Sequence, residues 1–260
     1  MPMVLRHSWF MTQRWMLALL RQPAWIVVTL VQPVMWLLLF GALFKSIVDL
    51  PGFGADNYAD FLTPGIVAMT ALFSAGWSGM GVLQDYERGI LDRFLVTPSS
   101  RIALLAGPLM QQAIVTIVQS LIIVVLGLAV AGAAFPGGVL GVLVVIVAAI
   151  LLGMAIGALS NALALVVRKE ETVIATVTSL SLPLSFLSGT FIDLNVAPDW
   201  IAEVAKFNPL EWAVVAGREA LTSSDVEWGV VLSRLGLLAL LLVACSVVAT
   251  RAFRAYQRAA

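Results

Sequence analysis

The sequence predicts an all-helical integral membrane protein with six spans, and three observations carry that expectation. Of the 260 residues, 61% are hydrophobic and only 12% are charged, against roughly 25% charged in an ordinary soluble domain. Uncharged apolar runs long enough to cross about 30 Å of hydrocarbon, which takes about 20 helical residues, recur along the chain. They cover residues 26–44, 61–83, 102–134, 138–167, 172–192 and 235–250. None alternates apolar with polar residues as a barrel strand must, so helix is the form that satisfies the backbone in lipid.

The elements follow in order. Residues 1–23 mix Trp9, Phe10, Trp15, Leu17 and Leu20 with Arg6, Gln13, Arg14 and Arg21. At about 100° per residue the four polar positions share one arc, which predicts a basic amphipathic helix lying along the headgroups. No small-residue cleavage site follows a short apolar core there, so this stretch reads as part of the mature chain rather than a signal peptide.

Residues 84–98 follow the second run. Ile90, Leu91, Phe94 and Leu95 share one helical face while Arg88 and Asp92 stand four apart on another, so a short amphipathic helix ending near Pro98 is expected. Phe135, Pro136 and Gly137 separate the third and fourth runs and read as a tight hairpin turn. Residues 193–228 carry Pro198, Trp200, Trp212 and Trp228 among acids, and 204–216 are too polar to span yet apolar enough to dip into the interface. One or two short helices are expected there.

Lys and Arg favour the cytoplasmic side. With both ends inside, the inner segments hold Arg6, Arg14, Arg21, Arg88, Arg93, Arg101, Arg168, Lys169, Arg251, Arg254 and Arg258, and the outer ones only Lys45, Lys206 and Arg218. Acids mirror this, with Asp49, Asp56, Asp60 and those between Asp193 and Glu227 outside. The expected location is a bacterial plasma membrane.

Net charge is zero, so bulk electrostatics argues for no nucleic-acid partner. The single cysteine, Cys245, excludes an internal disulfide and any multi-cysteine metal site. Gly76-Trp77-Ser78-Gly79 matches the G-x-S-G run of rhomboid intramembrane proteases, but the one histidine, His7, stands far upstream, and small residues in a membrane helix serve close packing. Lys45-Ser46 follows Phe44 where a P-loop needs glycine, so the chain holds no ATP site of its own. No carboxylate, lysine or arginine sits inside the runs, which disfavours a self-contained pump, although a stand-alone secondary transporter stays open.

The runs do hold Gln32, Gln111, Gln112, Gln119 and Asn161, with Met35, Trp36, Phe40, Met69, Phe73, Trp77 and Met80 in the first two. Methionine with aromatics can line an adaptable apolar pocket. Gly153 and Gly157 form a G-x-x-x-G, read first as packing within the subunit.

The stretch Glu87-Arg88-Gly89-Ile90-Leu91-Asp92-Arg93-Phe94-Leu95-Val96-Thr97-Pro98 resembles the cytoplasmic segment of type-2 ATP-binding-cassette exporter permeases, with Ile90 where many members carry threonine. Ser185-Phe186-Leu187-Ser188-Gly189-Thr190-Phe191, Pro198-Asp199-Trp200-Ile201, Phe207-Asn208-Pro209-Leu210 and Arg218 resemble the same family, most nearly its daunorubicin-resistance permeases. The resemblance implies a homodimer, or a dimer with a sister permease, on two separately encoded nucleotide-binding subunits that bind ATP and magnesium. This chain would be no enzyme and hold no cofactor or metal.

The resemblance further implies that residues 1–24 are a connecting helix and 84–98 a coupling helix, with Glu87, Arg88, Gly89, Leu91, Asp92, Arg93, Thr97 and Pro98 making or shaping the ATPase contact. Residues 193–228 would be an outer re-entrant region. Met69, Phe73, Trp77, Met80, Ser185 and Phe186 become candidates for the substrate cavity, and Gly189, Phe191, Asn208 and Pro209 for the outer gate. The implied cargo is an amphipathic or hydrophobic drug, lipid or polyketide, with polysaccharide or ion export as the alternative within the family.

Overall fold

Every element among the described residues is helical. The computed structural model describes residues 10, 12–14, 16–17, 23–49, 57–90 and 101–259. In chain order they form α1 (Pro23–Leu43), a short 3-10 turn (Lys45–Asp49), α2 (Tyr58–Gly76), α3 (Ser78–Glu87), α4 (Arg101–Ala129), α5 (Gly138–Val167), α6 (Glu170–Phe186), α7 (Asp199–Ala205), α8 (Pro209–Thr222) and α9 (Trp228–Ala259). Among the described residues, four stretches are long and apolar enough to cross a membrane: Tyr58–Glu87, Ala106–Ala129, Gly138–Val167 and Trp228–Tyr256; Thr29–Leu43 is a shorter apolar helix.

α5 is the central element and packs on α2, α3, α4, α6, α8 and α9. Its buried face is built of small residues, among them Gly141, Ala148, Gly153, Ala155, Gly157 and Ala158. Small side chains let backbones approach, which is what holds helices together where lipid removes the hydrophobic drive. A Cβ on Gly153 would stand 3.3 Å from Thr116 Oγ1, and one on Gly157 would stand 3.7 Å from Leu109. The G-x-x-x-G therefore serves packing inside this chain. α9, by contrast, leaves Leu232, Leu240, Val243 and Val247 exposed, as contact with lipid requires.

α2 and α3 make one rod interrupted at Trp77, whose φ of −78° and ψ of −8° stay near helical values. Here the Gly76-Trp77-Ser78-Gly79 run meets α5. The Gly79 N–H donates to Ser160 Oγ at 3.0 Å, the Ser160 hydroxyl donates to the Gly76 carbonyl, and Ser78 Oγ bonds Asn161 Oδ1 at 3.1 Å. A Cβ on Gly79 would sit 2.4 Å from the Ser160 carbonyl. Close packing is the work of this run, and the hydroxyl of Ser78 faces an amide rather than a base.

Two helices stop well short of the sequence expectation. The third run was expected to stay helical through residue 134 with only Phe135 to Gly137 turning, but α4 stops at Ala129. Gly132 adopts φ +70°, Asn57 Nδ2 donates to its carbonyl at 2.8 Å, and the Ala134 N–H donates to Asp60 Oδ1 at 2.7 Å. Gly132 thus turns the chain at the end of α4, and the start of α2 holds that turn from 74 or 75 positions away in sequence. The fifth run was expected to reach residue 192, but α6 stops at Phe186 because Asn208 Nδ2 donates to the Leu184 and Leu187 carbonyls at 2.7 and 2.8 Å.

The 193–228 region contains the short helices α7 and α8. α8 is no surface helix: Leu210, Ala213, Val214, Ala216, Gly217 and Leu221 are buried against α5, α2 and α9. The Gly137 N–H donates to the Leu221 carbonyl at 3.0 Å, so the hairpin after α4 is pinned to α8.

Candidate translocation site

Between α1 and α2 lies a cavity of about 50 Å3. Thr29, Gln32, Pro33 and Trp36 of α1 face Ile66, Met69, Thr70, Phe73 and Ser74 of α2, with Trp77 at the α2 break. The stripe Met69, Phe73, Trp77 follows helical spacing, which puts three soft or aromatic side chains on one wall. No lining residue is ionisable. Two hydroxyls are engaged from behind: Thr70 Oγ1 donates to the Ile66 carbonyl at 2.7 Å, and Ser74 Oγ accepts from Gln112 Nε2 of α4 at 3.3 Å. The volume holds a few waters at most. A drug-sized guest therefore enters only if α1 and α2 move apart.

Above the cavity Trp36 leads to a ring cluster. Phe191 lies 5.4 Å from Trp36, 5.0 Å from Phe40 and 5.8 Å from Phe186, distances at which ring edges and faces attract. The segment carrying Phe191 is fixed by α8. Glu211 Oε2 accepts the Gly189 N–H at 2.5 Å, and Arg218 Nη2 donates to the Gly189 carbonyl at 2.6 Å. Arg218 also donates to the Phe61 carbonyl at 3.2 Å and lays its guanidinium 3.6 Å over the Phe61 ring. Tyr58 adds a bond to the Phe191 carbonyl at 2.9 Å.

A lock of opposite charges thus grips the N–H and the carbonyl of one residue, Gly189, in the two peptide units that flank its Cα. Glycine fits closely there: a Cβ would stand 3.2 Å from both Glu211 oxygens, and the carboxylate would have to give by a few tenths of an ångström. Burial pushes the Glu211 carboxyl above its ordinary range, although the Gly189 N–H and the Arg218 charge pull it down. Burial lowers Arg218 to about 10, which leaves it charged at neutral pH. Asn208 completes the lock: its side chain caps α8 by accepting from the Leu210 N–H and closes the end of α6, while Pro209 occupies the first turn of α8, where its missing N–H costs nothing.

At the opposite end α3 stops at Glu87. Gly89 adopts φ +65°, a left-handed turn that glycine makes without strain, and its N–H donates to the Tyr86 carbonyl at 2.9 Å. Glu87 and Arg88 are exposed. Leu91, Asp92, Arg93, Thr97 and Pro98 lie outside the described residues. Of the N-terminal stretch, residues 10, 12–14 and 16–17 are helical, and Arg14 pairs with Asp85 near the end of α3.

The geometry brings together Met69, Phe73 and Trp77 in the cavity, and Gly189, Phe191, Asn208 and Pro209 around the lock. It does not bring in Met80, which packs with Leu83, Ala164 and Val177, nor Ser185, which is buried with its hydroxyl on the Ser181 carbonyl at 2.8 Å. Phe186 is exposed on α6 beside Phe191. Sequence reasoning missed Thr29, Thr70 and Ser74 as lining groups, and Glu211 as half of the lock. The available signal was an acid and a base seven residues apart on one face of an apolar helix.

The family model described as ABC-2 type transporter matches residues 6–222, through the end of α8. The chain belongs to the ABC-2 type transporter family. Among relatives of this permease, the daunorubicin resistance ABC transporter permease protein DrrB1 of Streptomyces coeruleorubidus is 28% identical over 227 residues, covering 87% of this chain and 77% of the relative. A Mycobacterium tuberculosis protein named "Probable doxorubicin resistance ABC transporter permease protein DrrC" is 24% identical over 193 residues, covering 74% of this chain and 68% of its own. The permease is a multi-pass membrane protein. Among its described residues no three His, Cys, Asp or Glu side chains converge on a metal site.

Proposed function

We propose that this permease is the membrane half of an ATP-driven exporter that moves an amphipathic or hydrophobic compound, such as a drug, lipid or polyketide, out of the cytoplasm or the inner leaflet. Two copies, or one copy and a sister permease, work on two nucleotide-binding subunits encoded separately, and those subunits bind the ATP and magnesium. Six spans, a bacterial plasma-membrane location and both ends in the cytoplasm complete the reading, supported by the excess of Lys and Arg on one side. The acidic end with the Glu211–Gly189–Arg218 lock then faces outward.

The single observation that carries the cargo class is the uncharged, aromatic wall of the cavity between α1 and α2. Such a wall binds apolar and aromatic surface and has no counter-charge to offer a polyanion. The chemistry is mechanical. ATP closes the paired ATPase subunits, a helix seated on each converts closure into rigid-body movement of the spans, and the cavity changes the side to which it opens. Glu87, Arg88, Gly89 and the 91–98 segment are the proposed seat, the ring cluster around Phe191 the proposed exit gate, and Phe186, exposed beside Phe191, the proposed approach of α6 to the cargo path.

The test is uptake of a fluorescent, uncharged or weakly basic aromatic amphiphile into inside-out vesicles carrying the permease and its ATPase. Phe73→Ala and Trp77→Ala each remove about 150–250 Å2 of ring surface, so the concentration for half-maximal transport should rise about tenfold. Unchanged half-maximal concentrations, or inhibition by a hydrophilic oligosaccharide with no effect of the amphiphile, would overturn the cargo class.

A further inference from the structure

Three helix ends meet at the basic end of the molecule, and their junction is held by one cation. α5 ends at Arg168, which adopts φ +54°, the only positive φ outside glycine among the described residues. Glycine or asparagine would fill such a position with less strain. Arginine there makes contacts that neither could. Its Nε–H donates to the Leu165 carbonyl at 3.2 Å, and its guanidinium carbon lies 5.1 Å from the centre of the Tyr256 ring in α9 and 5.3 Å from that of Tyr86 in α3. The two rings meet edge to face at 5.8 Å.

Tyr86 stands in the last turn of α3, between Asp85, which pairs with Arg14 of the N-terminal helix, and the Arg88–Gly89 turn. Whatever moves that turn moves Tyr86 with it. The neighbouring contacts of α3 here, Val82 on Leu165 and Tyr256, are apolar and non-directional. A guanidinium between two ring faces is different, because separating it from either ring costs electrostatic attraction as well as surface.

We propose that Arg168, clamped between Tyr86 and Tyr256, is the positioning residue that passes movement of the ATPase-coupling segment to α5 and α9. This rests on the coupling role proposed for residues 87–98. Without the clamp the last turn of α3, beyond the Ser78 and Gly79 hydrogen bonds that tie its start to α5, yields against α5, so ATPase closure moves the coupling turn while the core helices lag. The consequence is lost transport per ATP, with ATPase binding intact.

The experiment reconstitutes the permease with its ATPase and measures co-purification, basal ATP hydrolysis and cargo moved per ATP. Arg168→Gln and Tyr256→Leu should assemble and hydrolyse like the parent while cargo per ATP falls about threefold to tenfold, the range for one or two partly exposed cation–π contacts. Tyr256→Phe, which keeps the ring face, should stay within about twofold of the parent. Singly, doubly and triply fluorinated phenylalanine at position 256 should lower the ratio stepwise, a grading that a purely packing role does not produce.

Equal behaviour of Tyr256→Phe and Tyr256→Leu, whether both normal or both impaired, would overturn the clamp, as would loss of assembly in Arg168→Gln. Failure of the coupling role itself reads out separately, as absence of ATPase-dependent transport by the parent permease.

Discussion

Replacing Arg218 by methionine keeps the apolar stem of the side chain and deletes its charge. The Gly189 carbonyl then loses a 2.6 Å bond, which for a buried acceptor costs about 1–3 kcal/mol. The guanidinium also leaves the Phe61 ring 3.6 Å below it, about 1 kcal/mol at a partly shielded site. Glu211, buried on the other side of Gly189, loses its nearby positive charge, for which about 2–3 kcal/mol is a conservative figure given that breaking a direct buried pair costs 3–5. Together these give about 5 kcal/mol, comparable with the whole stability of many proteins. At about 2–4 °C per kcal/mol for a chain of this size, the apparent melting temperature should fall by about 10–20 °C.

The assay is built into the molecule. Cys245 is the one thiol and is buried, so a thiol-reactive fluorogenic dye reports unfolding of the core. Adding Glu211→Gln keeps an oxygen for the Gly189 N–H and removes the unpaired charge, so the double variant should regain about 2 kcal/mol of the loss. A single variant melting within about 3 °C of the parent, or a double variant no better than the single, would refute the lock.

Further outcomes follow from the same contacts. Glu211 titrates above its ordinary value of 4.5 because burial outweighs its favourable partners. Above that value the folded chain therefore holds a proton that the unfolded chain releases, so stability falls as pH rises through the window just above 4.5. In Glu211→Gln that part of the pH–stability curve should flatten, and a curve parallel to the parent's would contradict the assignment. Gln119 Oε1 is buried with no hydrogen-bond partner, a cost of about 1–3 kcal/mol; Gln119→Leu should raise the dye-reported melting temperature by several degrees, and a drop would show that the amide is needed. Gly79→Val would force side-chain atoms into the Ser160 carbonyl that a Cβ already meets at 2.4 Å, so that variant should be lost from the membrane fraction, whereas Ser78→Ala should express and transport normally.

The long helices were legible because apolar length alone decides them in lipid, and each predicted run contains a helix. Helix ends were less legible: Gly132 is a local stop at φ +70°, but a glycine among small apolar residues does not stand out in a membrane helix, and Asn57 and Asp60 hold the turn from across the fold. Likewise α6 ends where Asn208 reaches its carbonyls, and nothing near Phe186 announces it. α9 runs past residues 235–250 to Trp228 and Ala259, because polar flanks without a breaker continue a helix once lipid has nucleated it.

The cavity was half legible. Met69, Phe73 and Trp77 recur at helical spacing, but extending the stripe to Met80 fails because the helix is interrupted at Trp77 and resumes with Met80 packed toward α5 and α6. The α1 wall could not be read, as no spacing rule tells which face of a uniformly apolar helix meets α2. Glu211 and Arg218 were visible as charges in an apolar helix. Their meaning lay in Gly189, more than twenty positions away, whose backbone they share.

The most direct measurement is transport by the permease in liposomes with and without its ATPase, beside the Arg88→Glu variant. An exporter subunit should move an aromatic amphiphile only with the ATPase and ATP present, and Arg88→Glu should insert normally yet lose both transport and cargo-stimulated hydrolysis. Equal transport without the ATPase, or an ATPase whose turnover ignores the permease, would contradict the account and make the chain a self-contained transporter.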